Sequence, residues 1–175
     1  EIDTFFKIKN SQLILNSKFF KNGEICVQNP SSGLVAKLMD PKPNEIIIDL
    51  CSAPGGKASH MSELLDNKGK IFAYDVNLNR IMMLNDTIKR MKIKNIVSKL
   101  CDIRISKIET GDKILIDAPC SGTGAISKHP DIKWRRKYSD IKEMQLLQKE
   151  ILSCAAKQIK NNGTIIYSTC SLENE

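Results

Sequence analysis

The sequence predicts an α/β fold, an open and mostly parallel sheet with helices on both faces, and three observations support this. Short apolar runs alternate with amphipathic stretches that repeat at helical spacing. A double glycine, Gly55-Gly56, follows the first core run, Ile46-Ile47-Ile48, almost at once. Each acidic or thiol residue of interest stands at the carboxyl end of a run, where a ligand lies across the switch point of such a sheet.

In chain order, Glu1 to Asn22 has short mixed runs, such as Ile8 and Leu13-Ile14-Leu15. It reads as strands of a small preceding subdomain or extension, with residues 23–175 forming the main domain. Glu24 to Pro30 reads as a strand entering a helix over residues 32–39, with Leu34, Val35, Leu38 and Met39 on one face and Pro41 as the stop. Ile46-Ile47-Ile48, bounded by Asn44 and Pro54, suits a buried strand. Lys57 to Leu65 is a short helix with Ala58, Met61, Leu64 and Leu65 inward, closed by Asn67 and Gly69. The second strand is Lys70 to Tyr74, and Asn77 to Met91 follows as a helix with Ile81, Leu84, Ile88 and Met91 on its apolar stripe. Ile96 to Leu100 is the third strand and Lys113 to Ile116 the fourth. Ser139 to Lys160 is a long helix carrying Ile141, Met144, Leu147, Ile151, Ala155 and Ile159, ended by Asn161-Asn162-Gly163. The fifth strand is Gly163 to Tyr167.

A chain of 175 residues with 41% hydrophobic and 27% charged residues is sized for one domain with a real core. No apolar run approaches membrane-spanning length, and no signal peptide opens the chain. The chain starts without methionine and stops soon after Cys170, so it is expected to be a piece of a longer protein. Its net charge of +7 favours a polyanionic partner, although lysine accompanied by many asparagines and isoleucines reads equally as biased composition. The six cysteines form no C-x-x-C pair, and neither His60 nor His129 has a companion at ligand spacing, so no metal is expected. A core of ordinary size needs no disulfide framework, which points to reduced thiols in a cytoplasmic, nuclear or nucleolar compartment. Cys26 and Cys154 are expected to be small buried hydrophobes, and so, with less force, is Cys51.

The stretch Asp49-Leu50-Cys51-Ser52-Ala53-Pro54-Gly55-Gly56-Lys57 reads as strand, glycine turn and helix start. Its glycines and the free N–H groups of the helix fit a ligand, while an ordinary strand-to-helix turn fits this stretch alone equally well. It lacks both the G-x-G-x-x-G spacing and a P-loop ending, which favours a cofactor without phosphate. Asp75, twenty residues past Gly55 at the end of the second strand, suits a ribose diol or a helix cap.

Three further stretches occur in order: Asp117-Ala118-Pro119-Cys120-Ser121-Gly122-Thr123-Gly124, His129-Pro130-Asp131-Ile132-Lys133-Trp134 and Ser168-Thr169-Cys170-Ser171. With the glycine corner, they closely resemble the RNA cytosine-5 methyltransferases of the Sun family, which use S-adenosylmethionine. The resemblance runs from about Asn22 to the end. It implies a Rossmann-like class I methyltransferase fold, here without its last strands, and methylation of carbon 5 of a cytosine in ribosomal or transfer RNA. Cys51, Ser52, Ala53, Pro54, Gly55, Gly56, Lys57, Asp75, Arg80, Asp102 and Asp117 carry over as cofactor-binding residues. Arg80 reads almost as readily as a surface arginine. The family sets Asp102 in Asp-Ala-Arg, where this chain has Asp102-Ile103-Arg104.

Carbon 5 of cytosine is a poor nucleophile, and a thiolate adding to carbon 6 activates it; a base then removes the carbon 5 proton. The target base must be unpaired or flipped out to be reached. By resemblance Cys170 is that thiolate, Cys120 assists product release, and Asp117 holds the cytosine edge or the methionine amino group. Both cysteines follow strands at the active edge, so the residues alone do not rank them. A DNA cytosine-5 enzyme using Cys120 and an inert methyltransferase-like RNA-binding module stay open as alternatives. Trp134 is expected to pack and anchor its loop, leaving Lys133, Arg135, Arg136 and Lys137 for RNA phosphates. The family usually separates Thr-Cys-Ser from a Glu-Asn by several residues, whereas Ser171-Leu172 leads straight into Glu173-Asn174-Glu175 here; either this loop is short or residues are missing after Leu172.

Overall fold

The computed structural model describes residues 5–175. Five strands, β1 (Ile46–Asp49), β2 (Lys70–Asp75), β3 (Ile96–Leu100), β4 (Gly111–Asp117) and β5 (Ile159–Ser168), form one sheet in the order β3-β2-β1-β4-β5. Every neighbouring pair is parallel. The order reverses between β1 and β4, so the carboxyl ends of these two strands flank the switch-point crevice. Helices α3 (Pro30–Met39), α4 (Gly56–Leu64) and α5 (Leu78–Arg90) cover one face, and α7 (Tyr138–Gln158) the other.

Strand alternation separates the two cores. Ile47, Ile71, Ala73 and Leu115 meet Ala58, Met61, Ile81 and Leu84 on one side. Ile48, Phe72, Tyr74, Ile114 and Ile116 meet Ile151 and Ala155 on the other. Because both faces are covered, the strands read as unbroken apolar runs.

Five expectations are corrected. Residues 24–29 form no strand: their polar groups are met by side chains, as when Arg90 donates to the Ile25 carbonyl, and Pro30 then opens α3 behind the Asn29 cap. Within residues 1–22, the expected strands give way to helices α1 (Ser11–Leu15) and α2 (Lys18–Lys21), capped by Asn10 and Ser17; residues 1–4 lie outside the described part. Helix α3 turns Gly33, Ala36 and Met39 inward and leaves Leu34 and Leu38 exposed. Small residues let that face approach closely, and a Cβ on Gly33 would come within 2.2 Å of the Phe5 ring. Leu64, at the last turn of α4, is likewise exposed. Finally, α7 passes directly into β5, and Asn161-Asn162-Gly163 becomes an irregularity within that strand, with Asn162 at φ 64°.

Candidate active site

The glycine corner is built by β1, α4 and α5. Gly55 has φ 102°, and a Cβ there would stand 2.5 Å from Leu84 Cδ1, so glycine is required both by conformation and by the approach of α5. The Ser52 N–H donates to the Tyr74 carbonyl (2.9 Å), and Gln28 Nε2 donates to the Gly56 carbonyl (2.9 Å). No side chain caps the N-terminus of α4, which leaves the N–H groups of its first turn directed at the crevice.

Three polar side chains at this corner are buried without full partners. Among the described residues, six buried side-chain N or O atoms make no hydrogen bond, and four of them are both Asp49 carboxylate oxygens, Ser52 Oγ and Asp75 Oδ2. Burial pushes the Asp49 carboxyl up to about 7, opposed by the adjacent Ser52 hydroxyl and by Lys57 and helped by the nearby Asp117. Asp75 Oδ1 accepts the Asn77 N–H (2.9 Å), and its Oδ2 stands 3.4 Å from Arg80. Arg80 also donates to the Ala53 carbonyl, so it braces the corner as well as meeting solvent. Burial, with Asp49, Asp75 and Asp117 nearby, pushes the Cys51 thiol up to about 12, which suits a packing role. Asp102 stands just past β3, beside the end of β2, but Arg104 engages both its oxygens (3.0 and 2.7 Å) and holds its carboxyl below the usual range.

The second corner lies at the ends of β4 and β5. Cys120 Sγ and Cys170 Sγ are 3.0 Å apart. Burial, the Cys120 hydrogen bond and the Asp117 charge raise the Cys170 thiol to about 11. Asp117 links the two corners, accepting from Lys57 Nζ at Oδ2 (2.6 Å) and from Ser168 Oγ at Oδ1 (2.9 Å). The Gly124 N–H donates to the Cys170 carbonyl (2.9 Å), and a Cβ on Gly124 would meet that oxygen at 2.5 Å, so the two thiol loops touch because this residue is glycine.

Several supporting residues were not singled out from the sequence. Ser121 is fully buried, and its N–H and hydroxyl both donate to the Glu175 carboxylate (2.9 and 2.6 Å). Gln148 Nε2 donates to the Pro119 carbonyl (2.8 Å), while its Oε1 accepts from the Tyr167 hydroxyl (2.6 Å). The available signal for Gln148 is a polar residue interrupting the apolar stripe of α7. Asp49 and Ser168, each one residue past the strand read from the sequence, are the last residues of β1 and β5. Two cysteine and aromatic expectations fail here: Cys26 is exposed, since residues 24–29 lie outside the sheet, and Trp134 is 83% exposed rather than packed. Cys154 is partly buried against the core, and His60 is buried beside the Phe5 ring.

The family model for the 16S rRNA methyltransferases RsmB/F matches residues 36–175. The chain belongs to this family. The RsmB/F family consists of S-adenosylmethionine-dependent methyltransferases. A probable ribosomal RNA small subunit methyltransferase B of Bacillus subtilis is 38% identical over 164 residues, spanning 91% of this chain and 37% of the relative. A ribosomal RNA small subunit methyltransferase B of Cronobacter sakazakii is 43% identical over 157 residues, 87% of this chain and 36% of the relative. The chain therefore spans a little over a third of the length of these curated relatives. NSun6 of Pyrococcus horikoshii, solved with SFG, superposes with a TM-score of 0.84 at 34% identity, over 91% of this chain and 41% of that one.

The glycine corner fits the cofactor of the RsmB/F family chemically. Unpartnered buried acceptors on Asp49 and Asp75 suit ammonium and ribose hydroxyl donors, and the uncapped α4 terminus suits a carboxylate.

Proposed function

We propose that the chain transfers a methyl group from S-adenosylmethionine to carbon 5 of a cytosine in ribosomal RNA, with Cys170 as nucleophile. The observation that carries this reading is the Cys120–Cys170 pair at 3.0 Å, beside Asp117 and one strand away from the glycine corner. The names of the small-subunit relatives favour ribosomal over transfer RNA. Asp75 would hold the ribose diol and Asp102 the adenine amine once Arg104 yields. Lys57, the α4 terminus and the Cys51–Gly56 backbone would hold the methionine end. When bound, the cofactor supplies an electrophilic methyl group at a sulfonium.

The Cys170 thiol is held protonated at neutral pH, so attack requires that its proton pass to water as the bond forms. The sulfur adds to carbon 6, the carbon 5–carbon 6 electron pair becomes nucleophilic at carbon 5, and carbon 5 takes the methyl group. Water takes the carbon 5 proton, which restores the double bond and expels the Cys170 thiolate; the thiolate takes a proton from the Cys120 thiol, which solvent then reprotonates. Cys120, the nearest thiol, is placed for that proton exchange, and the Lys57–Asp117 pair orients the base edge beside it.

The test is intact-mass detection of a protein–RNA adduct, using small-subunit rRNA carrying 5-fluorocytidine together with S-adenosylmethionine, with wild type, Cys170→Ala and Cys120→Ala. Loss of the adduct only in Cys170→Ala is expected. Loss only in Cys120→Ala would transfer the nucleophile to Cys120 and point to DNA-type chemistry; no adduct in wild type despite cofactor binding would favour an inert RNA-binding module.

A further inference from the structure

Residues 128–142 run from the Cys120 loop into α7 through a one-turn helix, α6 (Ile132–Arg135). They carry six lysines and arginines against two aspartates, a net +4 out of the chain's +7. Two large aromatics in this stretch face solvent, Trp134 at 83% and Tyr138 at 73% exposure. Each has a lysine over its ring, with Lys133 Nζ 5.3 Å from the Trp134 centroid and Lys142 Nζ 5.3 Å from that of Tyr138. The segment is fastened to the site rather than standing apart from it. Arg136 Nε donates to the Ser121 carbonyl (2.8 Å), and the Ile132 side chain comes so close to Gly122 that a Cβ there would lie 3.3 Å from it.

Charge and aromatic exposure together narrow the occupant. A polyanion without bases would account for the cations but leave the indole in water to no purpose. An apolar protein surface would account for the indole and be repelled by the cations around it. Unpaired nucleotides meet both, since their phosphates pair with lysine and arginine while every base offers a π face to an aromatic ring. We infer that Trp134, with Tyr138 and the surrounding basic side chains, is a stacking platform for unpaired RNA nucleotides flanking the target base. This rests on the reading that the site acts on RNA, and it assigns to Trp134 the contact that carries single-strand preference. Arg136 is a positioning residue, since its guanidinium ties the platform to the Cys120 loop.

Trp134 is the single tryptophan of the chain, so its emission reports on this surface alone. An end-labelled, unstructured RNA of roughly 12 nucleotides is titrated against the chain, with label anisotropy reporting binding and tryptophan emission reporting stacking. Emission is expected to fall and to saturate at the RNA concentration that saturates anisotropy. Trp134→Ala should weaken binding by about fivefold or more, and Trp134→Phe should restore most of it, with thermal midpoint and S-adenosylmethionine binding unchanged in both. Heparin, which has charge but no bases, should compete without matching the change in emission. RNA binding with constant emission and unaltered affinity in Trp134→Ala would overturn the platform while leaving the proposed reaction intact. Equal quenching by poly-glutamate would overturn it in favour of an acidic protein partner. A wild-type chain that binds no RNA and forms no adduct would overturn both readings.

Discussion

The two halves of the sheet's carboxyl edge meet their polar groups in opposite ways. At β1 and β2, Asp49, Ser52 and Asp75 are buried with oxygens that accept no hydrogen bond, the Arg80 guanidinium lying 3.4 Å from one Asp75 oxygen. At β4 and β5, Asp117, Cys120 and Cys170 are partly open; Asp117 is tied to Lys57 and Ser168, while Ser121 and Gln148 are joined through Glu175. A buried acceptor left unpaired is costly unless a ligand brings the donor, so the first half suits a small molecule that is enclosed. The second half must admit and release a base carried on a much larger molecule. It therefore leaves Asp117, Cys120 and Cys170 partly open and rests them on hydrogen-bonded supports, Ser121 and Gln148, that are themselves buried.

The contrast can be broken from the buried side first. The folded Asp49 carboxyl titrates near 7 while the unfolded one titrates near 3.8, so the folded state holds the proton more tightly. Its contribution to stability is fully present below about pH 4, declines as pH rises to about 7, and is flat beyond. Relative to Asp49→Asn, wild type should lose up to about 4 kcal/mol across that window, measured as the difference in urea unfolding free energy at successive pH values. A difference that stays constant with pH would remove Asp49 from this role.

Next in size is Gly55→Ala, for which positive φ and contact with Leu84 add a strain of about 3 kcal/mol. Its thermal midpoint should fall and S-adenosylmethionine binding by calorimetry should weaken; an unshifted midpoint would refute the packing argument. On the networked side, Gln148→Ala leaves the Pro119 carbonyl and the Tyr167 hydroxyl without partners and should cost about 2 kcal/mol in chemical unfolding. Methyl transfer should fall further than stability does, because the Cys120 loop loses its brace.

The smallest effect is on the titration of Cys170 itself. Its alkylation by iodoacetamide, followed by peptide mass spectrometry, should be slow at pH 7 and rise steeply towards pH 11 as the thiolate forms. Cys120→Ala removes a hydrogen bond that favours the protonated thiol, so the midpoint should move down towards the ordinary thiol range. A midpoint unmoved by Cys120→Ala would separate the two sulfurs in solution.

Most of the sheet was legible because a strand covered on both faces leaves an unbroken apolar run, and all five core runs became strands. Helices were legible where large apolar residues recur at helical spacing, as with Ile81 and Leu84 on α5. The reading failed on α3 because close packing there selects Gly33 and Ala36, whose lack of bulk makes them inconspicuous as a buried face. It failed on residues 24–29 because a β-like composition does not supply a neighbouring strand. At the site, residues at strand ends could be placed from order alone, whereas Gln148 and Ser121 act through partners 15 or more residues away.

By itself the sequence determined the α/β class, the strand order along the chain and the chemical types at each carboxyl end, because local periodicity and turn residues encode these. The tertiary structure alone decided which groups meet. It set Cys120 against Cys170 across 50 residues, left the Asp49 oxygens without donors, closed Arg104 over Asp102 and turned Trp134 to solvent. Distance, burial and exposure depend on how elements from distant parts of the chain pack together, and no local pattern carries that information.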